Sequence, residues 1–134
     1  MAGPEVGLAT VALSAEGRRD PVLAGLADEI ETLQWHGAEV ARLPDGAIAL
    51  AANAHCPVQA LRAGRHAYGF QFHMEITERT VGDWRRIPEY ARSLEQALGP
   101  GAADRLAEAV TKQLPAFMKT ARHINDRLLT LARR

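Results

Sequence analysis

The run Tyr68-Gly69-Phe70-Gln71-Phe72-His73-Met74-Glu75 decides how this chain is read. An aromatic-rich apolar segment of this length reads as a strand, and it closes on a histidine followed two residues later by a glutamate. Side chains at i and i+2 of a strand share a face, so the Glu75 carboxylate can accept a hydrogen bond from one imidazole nitrogen of His73. That bond fixes the tautomer and makes the other ring nitrogen more basic, which is the base-and-orienter half of a nucleophilic triad. Taken alone, the pattern more often marks a structural hydrogen-bonded pair.

Working outward, Ala63-Gly64-Arg65 predicts a hairpin between residues 58–61 and 68–72. Ile48 and Leu50 alternate with small residues after the turn Leu43-Pro44-Asp45-Gly46, which makes residues 30–72 a β-rich stretch. Residues 1–13 read as a short strand through Val6, Leu8, Thr10 and Val11. Ser14-Ala15-Glu16-Gly17 reads as a turn, and Asp20-Pro21 with Val22, Leu23 and Leu26 as one short helical turn closed near Gly25. Beyond Thr77 the period changes. Thr80, Val81, Trp84 and Ile87 open a helix that Pro88 interrupts and that Tyr90, Leu94 and Leu98 carry to the stop Gly99-Pro100-Gly101. The last segment is one apolar stripe at steps of three or four: Leu106, Val110, Leu114, Phe117, Ala121, Ile124, Leu128 and Leu131. Pro115 lies inside it and predicts a kink or a split. Such a stripe packs on its own domain or, less often, forms a dimer seam.

The stretch from Gly69 to Glu75 closely resembles the G-x-Q-F-H-x-E motif of class I glutamine amidotransferases. Further matches run collinearly before it. Trp35-His36-Gly37 resembles the W-H-G-D segment of the branch similar to GMP-synthase glutaminase domains. Leu43-Pro44-Asp45-Gly46-Ala47 with Leu50-Ala51 resembles L-P-x-G-A-x-x-L-A, and Gln59-Ala60-Leu61-Arg62 with Gly64 resembles Q-A-F-R-x-G. Gly3-Pro4-Glu5-Val6-Gly7 is similar to the segment upstream. The resemblance covers residues from about Gly3 to Trp84. It implies a three-layer α/β, flavodoxin-like fold with a partly parallel sheet. Residues 1–86 are then the C-terminal portion of that fold, its edge strands and hairpins, and residues 87–134 a helical extension packed on it.

The resemblance also implies a chemistry. A cysteine at a G-x-C-x-G elbow attacks the side-chain amide of glutamine, a histidine moves the protons, and a glutamate orients the histidine. By motif match His73 is the catalytic base and Glu75 its orienter. Trp35, His36 and Gly37 fall in the segment that lines the glutamine pocket, although Ala38 stands where the family's motif has aspartate. The elbow itself is absent. The one thiol, Cys56, is flanked by Ala54 and Val58 where an elbow needs glycines, and Pro57 removes the N–H that would serve the oxyanion. Cys56 therefore reads as a small, partly buried filler.

Three readings follow. The first is a truncated or split amidotransferase, inactive alone, whose missing half is lost or supplied by a separate chain. The second is a non-catalytic binding or assembly module, such as a homodimer. The third is a different hydrolase built from Cys56, His73 and Glu75. Composition bounds all three. The 134 residues are 47% hydrophobic and 24% charged, with sixteen basic residues against sixteen acidic. That suits a globular unit and not a disordered one. Residues 1–76 hold nine acidic and five basic side chains, and residues 77–134 hold seven acidic and eleven basic. The basic residues are interleaved with acids, so no nucleic-acid partner is expected. No apolar run suits a membrane span or signal peptide, and a single cysteine suits a reducing compartment, so the expected location is cytoplasmic. No spacing suggests a metal, and no glycine-rich loop suggests a nucleotide cofactor. His55, His66 and His123 read as solvent-facing or hydrogen-bonded residues.

Overall fold

The computed structural model describes residues 3–134. Strand β1 (Glu5–Leu13) pairs antiparallel with β2 (Glu29–His36), in a register running from Glu5 opposite His36 to Ala12 opposite Glu29. Between them the backbone forms helix α1 (Ala15–Arg19) where the sequence predicts only a turn. Two local features decide this. Ser14 caps the helix by accepting from the Gly17 N–H at 2.9 Å. Asp20 is held extended by the proline that follows it, which ends the helix after one turn. Residues 21–26 form the expected single turn: the Ala24 N–H bonds the Asp20 carbonyl at 2.8 Å, Gly25 closes it at φ +96°, and the Asp20 carboxylate accepts from the Val22 N–H at 2.8 Å.

Strands β3 (Ala47–Ala52), β4 (Ala60–Ala63) and β5 (Ala67–Phe70) complete a five-stranded sheet in the order β2-β1-β3-β4-β5. The predicted hairpin is present, with Ala63 opposite Ala67 and Gly64 at φ +63° in its turn. Every strand pairing among the described residues is antiparallel, so the parallel strands of the implied parent fold are not among them. The sheet curls. After β5 the Gln71 N–H bonds the Gln59 carbonyl at 2.8 Å, and His73 then exchanges backbone bonds with Leu33 on the free edge of β2, at 2.8 and 3.2 Å. The chain leaving one edge of the sheet thus ties itself to the other, and His73 sits at the join.

Helices α2 (Thr80–Trp84), α3 (Pro88–Leu98) and α4 (Ala102–Ala132) follow. Pro88 opens α3, where its missing N–H breaks no helical bond. Pro115 does not split α4, which runs as one helix over 31 residues. Leu114 and Phe117, on either side of it, are both buried in the core, and this packing offsets the cost of about 3 kcal/mol that an internal proline carries. The stripe lies on the chain's own sheet. Leu106, Val110, Leu114 and Phe117 pack with Leu33, Trp35 and Val81, while Ile124 packs with Val11, Leu23, Leu50 and Phe72. One helix therefore bridges both halves of the core. No helix among the described residues is long and apolar enough to cross a membrane.

Candidate active site

β5 ends at Phe70, so His73 stands not within that strand but at its bridge to β2. The alternation expected of a strand still holds, because Phe72 and Met74 are buried and turn His73 and Glu75 outward. His73 Nδ1 lies 2.8 Å from Glu75 Oε1, and Glu75 Oε2 accepts from the Met74 N–H at 2.9 Å. Nδ1–H is therefore the donor, and the lone pair belongs to Nε2, which no described residue hydrogen-bonds. The side chain of His73 remains 28% exposed. Burial pushes the Glu75 carboxyl up. The hydrogen bond from His73 and the N–H groups of Glu75 and Met74 outweigh it, so the group rests below its ordinary 4.5.

That lowering has a sign. A carboxyl held below its unfolded value stabilises the fold at pH above that value, and the contribution fades as pH falls through the folded value. The stability difference between wild type and Glu75→Gln is expected to shrink as pH falls below about pH 4. Denaturant midpoints taken on either side of that pH check it. A difference that stays level below about pH 4 would contradict the pairing.

Aromatic rings brace the other side of the histidine. Trp84 meets His73 edge to face with centroids 4.9 Å apart, and itself packs against Trp35 at 5.4 Å and Tyr90 at 5.9 Å. Trp35 is thus buried beneath α2 and α3, linked to His73 through Trp84. Its Nε1 has no hydrogen-bond partner among the described residues. His36, the next residue along β2, points the other way. Its Nδ1 is 2.9 Å from the Ala38 carbonyl, and its Nε2 is 2.9 Å from Gln34 Oε1 and 3.2 Å from Glu5 Oε2. Gly37 is exposed. The Ala38 carbonyl also accepts from Gln71 Nε2 at 3.1 Å, so the 36–38 corner is joined to the His73 segment through Gln71.

Cys56 stands apart from this group. It is fully buried, not partly as the sequence suggests, and its thiol donates to the Val58 carbonyl at 3.3 Å. Asn53 Oδ1 fixes the turn by accepting from the Cys56 and His55 N–H groups. Burial pushes the thiol up from its ordinary value, the opposite of what a nucleophile needs. Alkylation of Cys56 at neutral pH is expected to be slower than that of a free thiol and unchanged in His73→Ala. Fast labelling that depends on His73 would revive the Cys56 hydrolase. Of the remaining histidines, His55 and His66 are exposed, and His123 bonds the Ala24 carbonyl at 3.0 Å, pinning α4 to the 21–26 turn.

Sequence reasoning missed the polar side chains behind the site. Glu5, Gln34 and Gln59 are all buried and hydrogen-bonded to one another or to their neighbours. The available signal was the inward phase of β2, which places Thr32 and Gln34 in line with Ile30 where apolar residues are expected.

The family model for class-I glutamine amidotransferases matches residues 5–84. The chain belongs to the class-I glutamine amidotransferase family. It is 35% identical over 83 residues to a glutamine-hydrolyzing GMP synthase subunit of Natronomonas pharaonis, covering 61% of this chain and 45% of that one. It is 38% identical over 65 residues to the glutamine-hydrolyzing GMP synthase of Syntrophomonas wolfei, covering 48% of this chain and 13% of that one. The crystal structure of a glutamine amidotransferase from Thermotoga maritima superposes with a TM-score of 0.75 at 24% identity, covering 94% of this chain and 51% of that one. The fold is accordingly a portion of the α/β, flavodoxin-like fold of class I amidotransferases. The chain spans less than half the length of these two curated relatives.

Proposed function

We propose that this chain carries the base-and-orienter part of a glutaminase site, and that the attacking cysteine comes from outside these 134 residues, in the same polypeptide or in a separate one. The observation that carries the reading is the 2.8 Å bond from His73 Nδ1 to Glu75, with no described residue bonded to Nε2 and the side chain partly exposed. In this reaction Nε2 takes the thiol proton as sulfur attacks the amide carbon of glutamine. The same nitrogen returns the proton to the departing amine, and ammonia leaves as a thioester forms. Nε2 then takes a proton from water as it attacks the thioester, and the thiol leaves with glutamate as product. Glu75 keeps the ring in the Nδ1–H tautomer and stabilises the positive charge that develops on it.

The 36–38 corner, tied to the His73 segment through Gln71, suits the rim of the glutamine pocket, with His36 and Gly37 at its edge. Trp35 supports the wall from below through Trp84. Residues 1–86 carry the site and residues 87–134 serve as the helical extension that completes the core. The buried, carbonyl-bonded Cys56 supports assigning the nucleophile elsewhere. The reading is tested by glutamate release from a chimera in which residues 5–84 replace the corresponding segment of the Natronomonas pharaonis protein.

A further inference from the structure

We infer that Glu5 is a positioning residue: its buried carboxylate holds His36 as a doubly protonated ring and, through it, the 36–38 corner against the segment that carries His73. The inference rests on the reading of that corner as part of the glutamine pocket.

Hydrogen-bond accounting leads there. Glu5 is 6% exposed, and no lysine or arginine among the described residues forms an ion pair with it. A buried carboxylate needs donors on its oxygens. Asn53 Nδ2 donates to Oε1, Gln59 Nε2 donates to Oε2 at 2.9 Å, and His36 Nε2 stands 3.2 Å from Oε2. The amide of Gln34 is then oriented by elimination. Thr32 gives its hydroxyl hydrogen to the Ala9 carbonyl at 2.7 Å, so its oxygen accepts from Gln34 Nε2 at 3.0 Å. Gln59 spends its Nε2 on Glu5, so its Oε1 also faces Gln34 Nε2, at 3.3 Å. Gln34 Oε1 is left facing His36 Nε2 at 2.9 Å.

His36 Nε2 thus faces two oxygens that can only accept, and it must carry a hydrogen. Nδ1 faces the Ala38 carbonyl at 2.9 Å, which cannot donate either. The doubly protonated ring is the form that satisfies both nitrogens, and the Glu5 carboxylate, on the neighbouring strand, supplies the compensating charge. The Ala38 carbonyl takes its second hydrogen bond from Gln71 Nε2, and the Gln71 N–H bonds the Gln59 carbonyl. One buried charge therefore sets both the corner and the approach to His73, two residues beyond Gln71.

The test is ring-nitrogen NMR of the ¹⁵N-labelled chain at about pH 7.5, above the usual histidine range. The wild-type chain is expected to show both His36 nitrogens protonated. In Glu5→Gln one of them loses its proton and the Gln71 side-chain amide signals shift, while far-UV circular dichroism is retained. If Glu5→Gln does not fold, the wild-type spectrum alone decides. A wild-type His36 with one unprotonated ring nitrogen overturns the inference. So does a folded Glu5→Gln that keeps both protons. Glutamine turnover does not enter this readout, so failure of the glutaminase reading leaves the charge pair standing, and the converse holds.

Discussion

Gly17→Ala is expected to lower stability by about 3 kcal/mol or more, the upper end of what overpacking costs. Gly17 lies in α1 directly over β3, and a Cβ built there stands 2.0 Å from the Leu50 carbonyl oxygen and 3.0 Å from its carbon. The obstacle is backbone, so no rotamer change relieves it. Nor can the strand withdraw freely. The Leu50 carbonyl accepts from the Ser14 N–H at 2.9 Å, and the Ser14 hydroxyl donates to the Ala49 carbonyl at 2.9 Å. Moving β3 away breaks both bonds that anchor Ser14, the residue that caps the helix carrying the substitution. Gly82→Ala is the control, because Gly82 is helical, has no positive φ, and leaves its added methyl nothing to meet within 4 Å. There the change is expected to be neutral or to stabilise by up to about 1 kcal/mol. Denaturant midpoints of the two variants check the pair, and an unchanged midpoint for Gly17→Ala would contradict the close approach.

Asp20→Ala is expected to cost about 3–5 kcal/mol, as for a buried ion pair that loses one partner. The Asp20 side chain is wholly enclosed, and one oxygen lies 2.8 Å from Arg62 Nη1. The Tyr68 hydroxyl sits 3.1 Å from both carboxylate oxygens, and the Val22 N–H takes a fourth contact at 2.8 Å. Asp20 thereby fastens the 21–26 turn to β4 and β5 at once. Removing it strands a guanidinium whose Nε is already buried without a partner among the described residues. Tyr68→Phe, which removes one hydrogen bond and no charge, should cost only about 1 kcal/mol. A double-mutant cycle of Asp20→Ala with Arg62→Ala measures the coupling. Additive costs would show that the pair contributes no more than packing.

What the sequence discloses of this molecule is local. The His73–Glu75 bond follows from spacing at two residues, the hairpin from Gly64, and the α4 stripe from steps of three and four. Features that depend on distant partners stay hidden. The helix at α1 depends on Gly17 fitting under Leu50, thirty-odd residues away, and the same four residues read as a turn when taken alone. The crossing of residues 71–73 to the edge of β2 has no local sign, because either edge can offer the same backbone groups. The polar set behind the site gathers Glu5, Gln34, Asn53 and Gln59 from separate segments, and amides carry no charge pattern to betray it. Trp35 illustrates the limit from the other direction. Its motif places it beside the pocket, while its alternation in β2 turns it beneath α2 and α3, so that it reaches His73 only through Trp84.

The most direct measurement of the central claim is glutamate release by the chimera of residues 5–84 in the Natronomonas pharaonis protein, assayed with the rest of that enzyme present and beside the 134-residue chain alone. The chimera is predicted to hydrolyse glutamine, His73→Ala in it to lose about 10²–10⁴-fold or more, and the chain alone to release no glutamate. A folded chimera without turnover would contradict the account, as would release by the isolated chain that His73→Ala abolishes, since that would place the nucleophile within these residues.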